Sequence, residues 1–123
     1  MNNGIFKNVS NKIEFEGNFE KFYKNNNSFN QDLENNHLLE EYIYSRNQII
    51  SNLSELDFHS LADIGCGFGL FTNEIKSNYP DKQIDGYDIS KTAIKIAKSR
   101  YNINFFEYDI TSKPLEKKYD LIL

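Results

Sequence analysis

Residues 61–123 predict a doubly wound α/β fold with a mostly parallel sheet, and three observations carry that prediction. Leu61-Ala62-Asp63-Ile64 is an apolar run that reaches an acidic residue and then breaks at Gly65, Gly67 and Gly69. Apolar residues resume at Leu70, with helix formers behind them. Two more strand-like runs, Gln83–Tyr87 and Ile103–Tyr108, follow with helical stretches between strands. Strand, glycine turn and helix in that order make the βα unit of such a sheet.

The elements follow from local pattern. Residues 1–31 are polar with scattered aromatics, among them Phe6, Phe15, Phe19, Phe22, Tyr23 and Phe29. No period holds there, so the segment reads as an arm, either a lid over a site or a patch on the core or a partner. From residue 32 to 57 the spacing turns helical. Leu39, Tyr42, Ile43, Ile49, Ile50, Leu53 and Leu56 share one face, and Asn30 or Asp32 is a candidate cap. Tyr42 is expected in the core, with Tyr44 and Arg46 on the surface. His37 and His59 lack partners at ligand spacing and read as surface residues.

Leu61–Ile64 is the first strand of the sheet, and a helix from Gly69 to Tyr79 follows, with Leu70, Phe71 and Ile75 as its contacts. Pro80 ends that helix, because the residue before proline is pushed out of the helical region. Gln83–Tyr87 is the second strand and ends at Asp88. Ser90 caps a second helix, Lys91 to Tyr101, whose stripe is Ala93, Ile94, Ala97 and Tyr101. Ile103–Tyr108 is the third strand, followed by Asp109-Ile110-Thr111 and a polar loop. Tyr119–Leu123 begins a fourth, with Asp120 structural at its entrance.

Composition bounds the function. The chain has 123 residues and a formal net charge of -4. That balance argues against a nucleic-acid partner, which needs clustered Lys and Arg. Lys113, Lys117 and Lys118 cluster beside Glu116 and read as a solvated face. Mean hydropathy is -0.64, and no apolar stretch approaches the roughly 20 residues of a membrane span. The N-terminus lacks a signal-peptide core. One cysteine, Cys66, excludes an internal disulfide and a cysteine-built metal site. These features point to the cytoplasm by default, and no metal is expected.

The glycine turn narrows the ligand. A dinucleotide fingerprint needs Gly-x-Gly-x-x-Gly/Ala. Counted from Gly65 the sixth residue is Leu70, and from Gly67 it is Thr72, so neither frame fits. No Lys-Ser/Thr pair follows the glycines, which excludes a P-loop. Asp63-x-Gly65-x-Gly67-x-Gly69 instead resembles motif I of the class I S-adenosylmethionine (SAM)-dependent methyltransferases. Gly86-Tyr87-Asp88-Ile89-Ser90 resembles motif II of that family. Asp109-Ile110 is similar to its third signature, and Tyr119–Leu123 to the start of its fourth strand.

The resemblance covers residues 61–123 and implies a Rossmann-like three-layer α/β/α sandwich with SAM as cofactor. By transfer, Asp63, Gly65, Cys66, Gly67, Phe68 and Gly69 hold the methionine side. Asp88 accepts from the ribose hydroxyls and Ile89 packs on the adenine. Asp109 and the backbone of Ile110 meet the adenine edge. Cys66 reads as loop filler rather than a nucleophile, and no general base is assigned. The implied reaction is methyl transfer to an N or O atom of a small-molecule acceptor. The alternatives are a non-catalytic SAM- or nucleoside-binding half-domain and, against the glycine spacing, a nicotinamide oxidoreductase.

One departure stands out. The family's sheet has seven strands and this pattern stops at the fourth. The expectation is therefore a partial Rossmann core, truncated after strand four, behind an N-terminal helical extension. Strand one should lie between strands two and four, and the exposed edge of strand four should favour a homodimer.

Overall fold

The computed structural model describes residues 4–25 and 40–123. Two strands, β1 (Phe6–Val9) and β2 (Lys12–Phe15), form an antiparallel hairpin, and α1 (Phe19–Asn25) follows. Ser10 and Asn11 turn the hairpin with φ of 49° and 64°, the left-handed pair that a two-residue hairpin loop requires. The arm thus carries defined elements that its irregular apolar spacing did not predict.

The core follows the expected order: α2 (Glu40–Leu53), β3 (Ser60–Ile64), α3 (Leu70–Asn78), β4 (Gln83–Asp88), α4 (Lys91–Arg100), β5 (Asn104–Glu107) and β6 (Leu121–Ile122). The four-stranded sheet has the order β5-β4-β3-β6, with all three pairings parallel. β3 therefore lies between the second and fourth strands, as expected. The chain moves outward from β3 to β5, then returns to the other side of β3. Ligands of open parallel sheets bind at that reversal.

Packing follows strand alternation. Ile84 and Gly86 point to one face of β4, Asp85 and Tyr87 to the other. On the first face Leu61, Ile84, Phe58, Leu53 of α2 and Ile75 of α3 form one cluster. Phe105 packs there against Ile94 and Ala97 of α4, and its ring fills the space a Cβ on Gly86 would need. All three core helices thus cover one face. The β5–β6 connection contains no helix, so the described residues complete two of the three expected layers.

That connection covers the second face with side chains. Tyr119 donates to buried Asp85 at 2.6 Å, and Tyr87 shares a hydrogen bond with the Tyr119 hydroxyl. Lys117 lies over the Phe106 ring and 3.8 Å from Asp85. Lys117 therefore serves this face and not only a solvated one. Asp120 has the structural role expected of it. Its Oδ2 accepts from the amides of His59 and Ser60 at 2.7 and 3.2 Å, tying the entrance of β6 to that of β3.

The helix before the sheet departs from its periodicity. Residues 32–39, with His37 and Leu39, lie outside the described residues, as do the side chain of Tyr42 and the candidate caps Asn30 and Asp32. The helix ends at Leu53, followed by a turn over Ser54–Leu56. Leu53 is buried, whereas Ile43 and Leu56 are exposed. Tyr44 is exposed as expected, but Arg46 is not a surface residue. Its guanidinium donates to Glu74 of α3 at 2.6 Å and lies over Phe71. This ion pair joins the two helices beside the packing of Leu53 on Ile75, a contact that helical spacing cannot reveal.

Ile75 is fully buried and Ile43 is 39% exposed. Ile75→Ala should lower unfolding stability by about 2–5 kcal/mol, and Ile43→Ala by less than about 0.5 kcal/mol. Urea unfolding midpoints of the two variants check this.

Candidate functional site

The site is built at the carboxyl ends of β3, β4 and β5. After β3 the chain turns through Gly65, Gly67 and Gly69, all with positive φ. The amides of Gly65 and Cys66 both donate to the Tyr87 carbonyl, at 2.8 and 3.0 Å. The amide of Gly67 donates to Asp88 Oδ2 at 2.9 Å. The loop is thereby hung from the end of the neighbouring strand. At Gly65 the φ of 75° disfavours a side chain although the space around it is open. At Gly67 the constraint is double: φ is 56°, and a Cβ would lie 2.8 Å from the Tyr23 hydroxyl.

Asp88 is buried at the end of β4, and its Oδ1 accepts from the Ser90 amide at 2.9 Å. Burial pushes its carboxyl up; the Ser90 and Gly67 amides oppose this, and the Glu20 charge adds to it. The net direction is up. Each oxygen of Asp88 accepts one backbone amide and retains capacity for a further donor. Asp63 is also buried and accepts from Thr72 Oγ1 at 2.7 Å. Burial raises its carboxyl to about 6, against the Thr72 bond and with a contribution from Asp88. Cys66 is raised far above an ordinary thiol, first by burial and then by Asp63 and Asp88. It is therefore a thiol, not a thiolate, at neutral pH.

A cavity of about 340 Å³ opens beside the loop. Of the predicted residues, Gly65, Asp88, Ile89, Asp109 and Ile110 line it. Ile89 and Ile110 are exposed apolar side chains, which suits them to a flat ring. Asp109 accepts from Thr111 N and Oγ1 at 2.9 and 2.5 Å and from Ser112 Oγ at 2.7 Å. The Thr111 and Ser112 hydroxyls hold its carboxyl below the usual range.

The other predicted residues stand behind the lining. Asp63 is turned towards α3, and Cys66 lies against Gly86. Gly67 faces Tyr23, and Gly69 packs on Phe105 and Ala97. Phe68 is buried between the Tyr23 ring, 5.0 Å away, and the Arg100 guanidinium.

Several lining residues were not anticipated. Tyr87 and Tyr108 flank Asp88 and Asp109 at the strand ends, and their position next to the predicted carboxylates was the available signal. Gly17, Phe19 and Tyr23 come from the arm. Phe19 and Tyr23 are among the aromatics of the arm that one reading made a lid, but no local signal set them or Gly17 apart as lining, because their contacts lie across the fold.

The comparisons with known proteins meet this geometry. A family model described as a methyltransferase domain matches residues 61–123, just over half of the chain. The chain belongs to the methyltransferase domain family. Its motifs and Rossmann-like sheet are those of the class I S-adenosylmethionine-dependent branch. It is 38% identical over 89 residues to malonyl-acyl carrier protein O-methyltransferase 2 of Ilyobacter polytropus, covering 69% of this chain and 34% of that protein. It is 36% identical over 84 residues to putative methyltransferase 235L of Invertebrate iridescent virus 6, covering 68% and 31%. Among solved structures, the plantazolicin methyltransferase BpumL, in complex with a pentazolic desmethylPZN analog and SAH, matches with a TM-score of 0.59 and 26% identity. That match covers 80% of this chain and 40% of the other. The chain thus spans about a third of the length of these curated relatives.

Asp63 gives this methyltransferase domain a pH signature. Its native carboxyl titrates near 6, above an unfolded value near 3.9. The native state binds the extra proton between those values, so the Asp63 contribution to stability falls as pH rises from about 4 to 6. Asp63→Asn should remove that loss, up to about 3 kcal/mol. Urea unfolding at pH 4 and pH 7 should show the variant gaining on wild type at the higher pH.

Proposed function

We propose that this chain binds SAM in the cavity beside Gly65–Gly69 and forms the cofactor side of an enzyme that methylates an N or O atom of a small-molecule acceptor. The single observation that carries the reading is the glycine loop hung on Asp88 at the reversal of strand order. The chemistry of the donor set fits the ligand. Asp88 keeps acceptor capacity for ribose hydroxyls. Ile89 and Ile110 offer apolar faces to an adenine. Gly65 exposes backbone to the methionine side, and among the described residues no lysine or arginine lines the cavity, which suits a cofactor without phosphates.

When bound, the cofactor supplies an electrophilic methyl carbon on a sulfonium leaving group. The protein's share is then positioning and desolvation. Asp88 and the loop backbone fix the ligand's orientation. Phe19, Tyr23 and Tyr108 exclude water from its flank. Cys66, half-buried as a neutral thiol, takes no nucleophilic part.

The acceptor reading draws on the relatives' names, O-methyltransferases acting on a malonyl-acyl carrier protein and a plantazolicin methyltransferase. The acidic chain favours an acceptor other than nucleic acid. Among the described residues no helix is long and apolar enough to cross a membrane, which supports a cytoplasmic site of action. Exposed Ile122 on β6 supports pairing of two copies along that edge. A second reading, a binding half that needs further chain for turnover, draws only weak support from the chain's coverage of about a third of those relatives. The first reading takes the described part of the arm, residues 4–25, as its lid.

Calorimetric titration with SAM and with S-adenosylhomocysteine (SAH) tests the proposal. Wild type should bind both, and Asp88→Ala should bind at least about tenfold more weakly, the loss expected when buried hydrogen bonds to a charged acceptor go. A folded wild type that binds neither contradicts the proposal. Methyl transfer to small acceptors then separates the enzyme from the binding half.

A further inference from the structure

Glu20 stands on α1, yet its carboxylate closes on the N-terminus of α4, seventy residues further along the chain. Its Oε2 accepts from Ser90 Oγ at 2.5 Å. The Thr92 amide lies 3.3 and 3.2 Å from its two oxygens, and Thr92 Oγ1 donates to Oε1. A helix N-terminus presents unpaired amides and favours an anion. Ser90 Oγ satisfies Ala93 at 3.1 Å, and Glu20 satisfies Thr92. Burial pushes the Glu20 carboxyl up, but the bonds from Ser90 and Thr92 outweigh it, and Lys24 adds a little. The net direction is down, so Glu20 is ionised at neutral pH.

What this contact holds matters for the cavity. Phe19 and Tyr23, on either side of Glu20 in the same helix, form part of the cavity wall. A seven-residue helix has little stability of its own, and a lone two-stranded hairpin is marginal. The hairpin leaves Ile13 and Phe15 largely exposed, so it contributes little burial. No residue of α1 is buried, and the described contacts that tie the arm to the core include the Glu20 carboxylate on α4 and the Tyr23 ring on Phe68.

We propose that Glu20 is the latch of a closing arm: it fastens α1 to the α4 N-terminus, holds Phe19 and Tyr23 against the bound cofactor, and sets how fast the cofactor leaves. The proposal rests on the reading that the cavity holds SAM or SAH. Glu20 is a positioning residue, acting through Phe19 and Tyr23. Elements with few buried contacts open most readily, and opening of such segments often governs ligand release.

Stopped-flow dissociation of SAH, with hydrogen exchange across residues 19–25, tests the latch. Glu20→Ala should speed SAH dissociation by about tenfold or more, the weight of hydrogen bonds to a charged group. It should also accelerate exchange in α1 while leaving α3 unchanged. Thr92→Val, which removes one donor to Glu20 without altering an arm residue, should act in the same direction by about threefold. SAH should slow exchange of α1 in wild type and not in Glu20→Ala. Unchanged dissociation in both variants, with Asp88→Ala weakening binding, overturns the latch and leaves the cofactor reading standing. No SAH binding by wild type overturns the cofactor reading itself, and the latch with it.

Discussion

The amide of Gly67 and the carboxylate of Asp88, 2.9 Å apart, join the two halves of this fold's working end. The bond spans the gap between β3 and β4 just where the sheet ends and the chain must turn. Two further amides, those of Gly65 and Cys66, converge on the Tyr87 carbonyl next to it. Such a loop exists only because glycine tolerates the left-handed backbone it needs. The parallel register of β3 on β4 sets Ile64 beside Tyr87, which brings the donors within reach of their acceptors.

That arrangement gathers negative charge in a poorly solvated place. Asp63 and Asp88 are both buried, which raises the proton affinity of each; the Asp88 charge adds to the rise at Asp63, and the Glu20 charge to that at Asp88. Among the described residues neither is held by a lysine or arginine. Amides and a hydroxyl partner them instead, groups that stabilise a carboxylate without cancelling its charge. A cationic sulfonium or ammonium nearby would find a complementary field, whereas a phosphate would not. Glu20 extends the same logic at a distance, as an anion seated on the partial positive charge of a helix N-terminus.

Much of the core was legible because its signals are local. The spacing of Gly65, Gly67 and Gly69, the strand ending at Asp88 and the Ser90 cap are each written in a few consecutive residues. The strand order then follows from right-handed crossovers. The arm was not legible. Its place depends on Glu20 meeting Ser90 and Thr92 and on Tyr23 meeting Gly67, contacts that join distant parts of the chain and leave no period. The helix before the sheet was half legible for the same reason. Its spacing located Leu53 correctly but overstated Ile43 and Leu56, and the Arg46–Glu74 pair is tertiary. On the face without helices, Asp85 is closed over by Tyr119 and Lys117, contacts from more than thirty residues away that no local pattern marks.

Amide chemical-shift mapping with SAH tests the central claim most directly. The claim is that one site is assembled from the glycine loop, the ends of β4 and β5, and the arm. It predicts that the largest shifts fall on Gly65, Gly67, Ile89 and Ile110, with Tyr23 of the arm shifting alongside them. Shifts confined to another surface, such as the face around Tyr119, would contradict it.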